Sequence, residues 1–194
     1  MVDLFGEAEA PETDPQDAVT HDTFPTAEHN HQLTGHEECL SRCRAMLEAG
    51  QFPHGLVLTG IEGVGKHLLS LHIAELLMGE GKLHRMIQGG YPDLLMLGRE
   101  MDEKKGRLKP DLPIATIRKI PVFLRQTPAE GGWRTVIVDD ADHMNRNAQN
   151  ALLKSLEEPP KQSCLILIVH QLGRLIPTIR SRVRVMHLAP LELG

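Results

Sequence analysis

Six residues holding three glycines, Gly60-Ile-Glu-Gly-Val-Gly65, stand between a short apolar run, Gly55-Leu-Val-Leu-Thr59, and an apolar stretch from about Lys66 to Met78. With Lys66 they complete the spacing G-x-x-x-x-G-K, in the context that spacing requires, a strand before and a helix after. Glycines let backbone N–H groups turn inward around phosphates, and the helix N-terminus adds partial positive charge. Lys66 would neutralise the terminal phosphates. The next position should carry a hydroxyl to hold Mg²⁺. Here it is His67, whose neutral imidazole is a poor ligand for so hard a cation.

The rest of the chain is punctuated in the same style. Leu94 to Leu97, Arg134 to Asp139, Cys164 to Val169 and Val183 to His187 read as further strands. Between them, Asn145 to Glu158 reads as a helix closed by Pro159-Pro160, and Ile114 to Gln126 as one that Pro121 should kink or divide. Thr34 can cap a first helix over about Gly35 to Glu48, with Glu37 as its capping-box partner and Gly50 as its stop. On that helix Leu40, Cys43, Met46 and Leu47 share a face. The polar stretch Met101 to Pro110 reads as a solvated loop. Short continuous apolar strands alternating with helices imply an α/β fold, a parallel sheet flanked by helices.

A second landmark, Val136-Ile-Val-Asp139-Asp140-Ala-Asp142, is an apolar strand that ends in carboxylates. After a phosphate loop such a strand end places Asp139 to hold a metal, directly or through water. Asp140 stands where a Glu usually activates the attacking water, and is one methylene shorter.

Composition removes several alternatives. Residues 1–32 carry eight acidic and no basic groups, leaving the remainder at +3 within a total of −5. That segment, rich in Pro, Ala, Thr and Glu, reads as a disordered acidic tail. Its histidines His21, His29 and His31, with His36 nearby, lack ligand-grade spacing, and no resident metal is expected from them. Cys39, Cys43 and Cys164 form no paired framework, which fits a reducing compartment. The longest apolar run, Cys164 to Val169, is far short of the ~20 residues that span a bilayer. No basic start with an apolar core opens the chain, so a cytoplasmic protein without membrane partners is expected. Four Phe, one Tyr and one Trp are too few for base-stacking on single strands. No basic run is clustered enough to track a phosphate backbone.

The run Asn150-Ala-Leu-Leu-Lys-Ser-Leu-Glu-Glu-Pro-Pro160, with the loop at Gly60 and Thr178-Ile-Arg-Ser-Arg182, closely resembles the clamp-loader branch of the AAA+ ATPases. Within it the chain is most similar to the delta-prime family of bacterial DNA polymerase III. Pro92-Asp-Leu-Leu95 and Ala129-Glu-Gly-Gly-Trp-Arg134 resemble that family too, and the likeness runs from about Leu33 to Leu188. It implies a P-loop NTPase (AAA+) core over residues 33–194, with the family's lid and collar domains outside this chain. It also implies a subunit of a DNA-directed DNA polymerase (nucleotidyltransferase) holoenzyme. The implied partners are the gamma/tau and delta clamp-loader subunits, and, through the assembly, the sliding clamp and primed DNA.

Carried over by position, the family's Ser-Arg-Cys motif is Ser181-Arg182-Val183, so Arg182 is the expected arginine finger, given in trans to ATP on a neighbouring subunit. Gly60, Gly63, Gly65, Lys66 and His67 are the expected nucleotide contacts, and Asp139 and Asp140 the expected acidic pair. The family's polar sensor at the end of the fourth strand falls on Val169, which cannot hydrogen-bond. With no cysteine between Cys43 and Cys164, the family's four-cysteine zinc module is not expected. His67, Asp140 and Val169 each weaken a part needed for hydrolysis. ATP or ADP binding is therefore expected to be weak, Mg²⁺ to enter only with nucleotide, and the chain's own ATPase activity to be weak or absent. The rival readings are a self-sufficient AAA+ ATPase of recombination or fork maintenance, and a small-molecule P-loop kinase.

Overall fold

Strands covered on both faces are largely apolar along their length, with alternate side chains feeding opposite layers. The computed structural model of the chain, which describes residues 35–190, has this arrangement. In chain order the elements are α1 (Glu37–Glu48), β1 (Gly55–Thr59), α2 (Lys66–Met78), α3 (Leu83–Ile87), β2 (Leu94–Leu97), β3 (Met101–Asp102), β4 (Arg107–Leu108), α4 (Ile114–Ile117), α5 (Lys119–Leu124), β5 (Arg134–Val138), α6 (Arg146–Glu157), β6 (Ser163–Val169), α7 (Pro177–Arg180) and β7 (Arg184–His187).

Five strands form one sheet in the order β2-β5-β6-β1-β7, every pair parallel. Leu56 and Leu58, Ile137, and Cys164, Ile166 and Ile168 feed one core layer, closed by α1 and α2. Val57, Val136 and Val138, and Leu165, Leu167 and Val169 feed the other, closed by α4, α5, α6 and α7. In register, Thr59 faces Val169 and Val138 faces Leu167. The loops leaving β1, β5 and β6 therefore open side by side at the carboxyl edge of the sheet, where open α/β sheets bind ligands.

Local chemistry explains the boundaries. α1 ends in a Schellman arrangement: Gly50, at φ +65°, donates its N–H to the Leu47 carbonyl and Gln51 donates to that of Met46. Its start is two residues later than the sequence suggested. His36 occupies the N-cap, and Glu37 accepts the Gly35 N–H at 3.1 Å. Thr34 lies outside the described residues, as do the acidic segment 1–32 and its histidines. α6 is capped by Asn145, whose Oδ1 accepts the Ala148 N–H at 2.9 Å.

Three departures from the sequence reading have physical reasons. The 114–126 segment breaks at Arg118 rather than Pro121. A continuous helix would set the proline ring against the Ile117 carbonyl, whereas the break puts Pro121 in the first turn of α5, where its missing N–H costs nothing. Residues 101–110 contain the small antiparallel hairpin β3–β4. The short helices α3 and α7 span five and four residues, too few to declare a period. Cys43 packs beside Met186 with its sulfur 3.8 Å from the thioether, and burial pushes its thiol up to about 12. Among the described residues no helix is long and apolar enough to cross a membrane.

Candidate functional site

β1 delivers the chain at Gly60 to a loop that only glycine fits at two places. A Cβ at Gly60 would meet the Leu188 carbonyl oxygen at 2.6 Å, because β7 runs out directly beside it. Gly65, the N-cap of α2, sits at φ +92°, and a Cβ there would lie 3.5 Å from the His36 ring. His36 reaches across from the start of α1 to the Val64 carbonyl at 2.6 Å, fixing the loop from outside. α2 starts without a side-chain cap, so its first N–H groups face the loop. Lys66 is buried and its Nζ donates to the carbonyls of Gly60 (2.8 Å) and Ile61 (2.6 Å). Burial pushes its pKa down, against the pull of Asp139 and Asp142.

The loop has the glycine and helix-start arrangement that a phosphate cradle uses, while the metal side suits Mg²⁺ poorly. His67 Nδ1 lies 3.1 Å from Asp139 Oδ2, so the residue standing for the usual hydroxyl is tied to the carboxylate meant to share the ion with it. That nitrogen faces the carboxylate as a donor and offers no oxygen to a hard cation. Asp139 is further held by the Asp140 N–H on its Oδ1 at 2.9 Å.

Asp140 is held in the left-handed region (φ +52°, ψ +38°), uncommon for a residue with a Cβ. Its Oδ2 accepts Arg99 Nε at 2.9 Å and Nη2 at 2.8 Å, both side chains being largely buried. With both arms of a guanidinium on it, that oxygen is taken up by the protein and is not free to hold an attacking water. Arg99, just past β2, and His170, just past β6, belong to the site although sequence reasoning missed both. His170 Nδ1 stands 3.5 Å from Asp140 Oδ1 and 3.9 Å from Asp142 Oδ1. Val169, where the sensor was expected, is fully buried in the α6 layer, so the side chain reaching the site from this strand end is the next one.

Arg182 is far from all of this. Its carbonyl lies 3.4 Å from a Cβ built on Gly55, the first residue of β1, whereas the phosphate loop leaves the last. At ~3.3 Å per residue the strand separates them by about 13 Å, at opposite edges of the sheet. The guanidinium is exposed, with Nη1 on the Thr178 carbonyl at 3.0 Å and Nη2 on Glu157 Oε1 at 3.1 Å. Pro92–Leu95 and Ala129–Arg134 prove to be one structural lock. Buried Asp93 accepts the N–H groups of Ala129 (2.8 Å) and Glu130 (3.0 Å) and faces Arg134 Nη2 at 3.3 Å.

The Asp139 carboxyl is pushed up by burial, but the His67 hydrogen bond, its charge and the Asp140 N–H outweigh that and hold it below the usual 3.8. A depressed native value means that the folded state favours the ionised form more than the unfolded chain does. The stabilisation is complete above the ordinary Asp range and is lost as pH falls through the lower folded value. Thermal unfolding from pH 5 to 3 should show a falling Tm whose slope is shallower in Asp139→Asn. Equal slopes would remove this role.

A glycine loop at the carboxyl edge of this strand order, with an acidic turn two strands away, defines an AAA+-type fold. The family described as DNA polymerase III, delta subunit, matches residues 35–192. The chain belongs to that family, as a delta-prime-like AAA+ protein. DNA polymerase III subunit delta' of Pseudomonas aeruginosa is 39% identical over 143 residues, covering 68% of this chain and 42% of that protein. The Escherichia coli subunit of the same name is 32% identical over 157 residues, 75% and 45% respectively. The crystal structure of a DNA polymerase III gamma subunit-related protein from Thermotoga maritima superposes with a TM-score of 0.63 at 25% identity, over 79% of this chain and 46% of that one. The chain thus spans less than half the length of these relatives.

Proposed function

We propose that this chain is the nucleotide-binding-type portion of a clamp-loader delta-prime subunit, one that hydrolyses little or no ATP itself. In this reading it presents Arg182 to ATP on a neighbouring gamma/tau subunit, has delta on its other side, and helps the assembly place a sliding clamp on primed DNA. The observation that carries it is the position of Arg182, exposed at the sheet edge opposite its own phosphate loop. From there the guanidinium has no route to a nucleotide in cis. Its fixed fork and permanent charge suit a phosphate that gains negative charge in the transition state.

The loss of self-hydrolysis is supported by three placements. Arg99 occupies Asp140, His67 is tied to Asp139, and buried Val169 leaves no sensor hydroxyl at the strand end. ATP or ADP would meet an intact backbone cradle, but Lys66 must first leave the Gly60 and Ile61 carbonyls, which keeps affinity low. Mg²⁺ would enter only with nucleotide, on Asp139. The test is ATP turnover by the isolated chain in Mg²⁺. The expected rate equals the protein-free blank, and rapid metal-dependent turnover would establish the self-sufficient ATPase instead.

A further inference from the structure

We propose that Asp140, Asp142 and His170 form a site for one divalent transition cation, Zn²⁺ by preference, at the junction of the turn after β5 and the end of β6. The site does not need the clamp-loader reading and uses none of the nucleotide contacts, but it shares Asp140 with the expected acidic pair. It also differs in ligand type from the four-cysteine module, and sequence reading anticipated no resident metal.

The first support is spacing. One ligand atom from each of Asp140, Asp142 and His170 lies within 4.8 Å of the others, and His170 Nδ1 is 3.5 Å from Asp140 Oδ1 and 3.9 Å from Asp142 Oδ1. Ligands at ~2.1 Å from a tetrahedral zinc stand roughly 3.4 Å apart. Neither approach of the ring to a carboxylate is a hydrogen bond, whereas both suit a shared ion.

The second support is orientation from behind. Each carboxylate has one oxygen held by the protein and the other turned to His170. Arg99 grips Asp140 Oδ2 at 2.9 and 2.8 Å, and the N–H groups of His170 (3.3 Å) and Gln171 (3.1 Å) hold Asp142 Oδ2. Outer partners of this kind fix ligand direction in metal sites.

The third is the burial of one ligand atom. Asp142 is 2% exposed, and its Oδ1, facing the ring, is a buried oxygen without a hydrogen-bond partner. Buried carboxylate oxygens are rarely left so, and a bound cation, like an ordered water, satisfies one. The His170 side chain is 29% exposed, which leaves an entry path. One imidazole with two carboxylates suits Zn²⁺, Mn²⁺ or Co²⁺ better than Mg²⁺.

The test uses the chain after chelator treatment, titrated with Zn²⁺ by calorimetry and with Co²⁺ by visible absorption. The expected result is one ion per chain at this site, with affinity at least ~100-fold weaker in His170→Gln, since losing a direct ligand costs more than losing an outer partner. His170 is part-exposed, so this variant should fold, and thermal unfolding checks it. Zn²⁺ should raise the Tm of the parent chain and not that of His170→Gln. Asp142→Asn, if it folds, should show the same loss. Equal affinity in the parent and His170→Gln overturns the site. That holds whether remaining binding belongs to His67 with Asp139, belongs to His21, His29 and His31, or is nil.

Discussion

Replacing Arg182 with Ala is expected to leave this chain folded and to slow ATP hydrolysis at the neighbouring site it serves by about 10³-fold, the usual worth of a finger supplied in trans. That factor corresponds to roughly 4 kcal/mol of transition-state stabilisation. The fold should not notice, because the guanidinium is exposed and its ion pair with Glu157 is a surface pair, worth about 0–1 kcal/mol. The readout is DNA-stimulated ATPase of the reconstituted assembly, whose total falls by the share of the affected site. Arg182→Lys should recover only part of the loss, since an ammonium keeps the charge without the fork. An undiminished rate in Arg182→Ala rejects the finger.

The largest effect on stability is expected at Arg134→Ala. Arg134 and Asp93 have side chains 6% and 1% exposed, and the guanidinium also donates to the carbonyls of Phe123 (3.2 Å) and Thr127 (2.8 Å) while lying over the Phe123 ring. Removing it strands a buried carboxylate and two carbonyls, at about 3–5 kcal/mol. For a domain of this size that corresponds to a Tm lower by roughly 10–15 °C. Asp93→Ala should cost similarly, since it also orphans the Ala129 and Glu130 N–H groups. The double variant should cost clearly less than the two losses combined, because both act on one pair. Additive losses would show that the two residues do not form a lock.

The central strands β1, β5 and β6 were legible because each is buried on both faces. Gly55–Thr59 and Leu94–Leu97 have the limits their apolar runs announce. The glycine loop was legible for a different reason: its chemistry is local, one loop with the turn of helix after it. What sequence could not reveal were groups that meet only after folding. Arg99 lies 41 positions from Asp140, and His170 lies 28 positions from Asp142. The one available signal was position, since both residues follow the apolar run of a parallel strand closely. Counting back from Arg174 put the sensor on Val169, but period-two alternation with Leu165 and Leu167 turns that side chain into the α6 layer. The motifs Pro92–Leu95 and Ala129–Arg134 were visible as a likeness, while their meaning, a buried charge pair holding a loop, needed coordinates.

The separation of Arg182 from the phosphate loop also dictates how such chains can line up. In a two-fold pair each chain would both give its guanidinium and receive the other's across one shared contact, which closes the pair. In the proposed reading this chain gives without receiving, so the contact is one-way: the neighbour's phosphate-loop edge meets the Arg182 edge, and the neighbour's own donor edge points onward. If that proposal holds, such a series has a polarity, in which a member that gives without hydrolysing takes a fixed place.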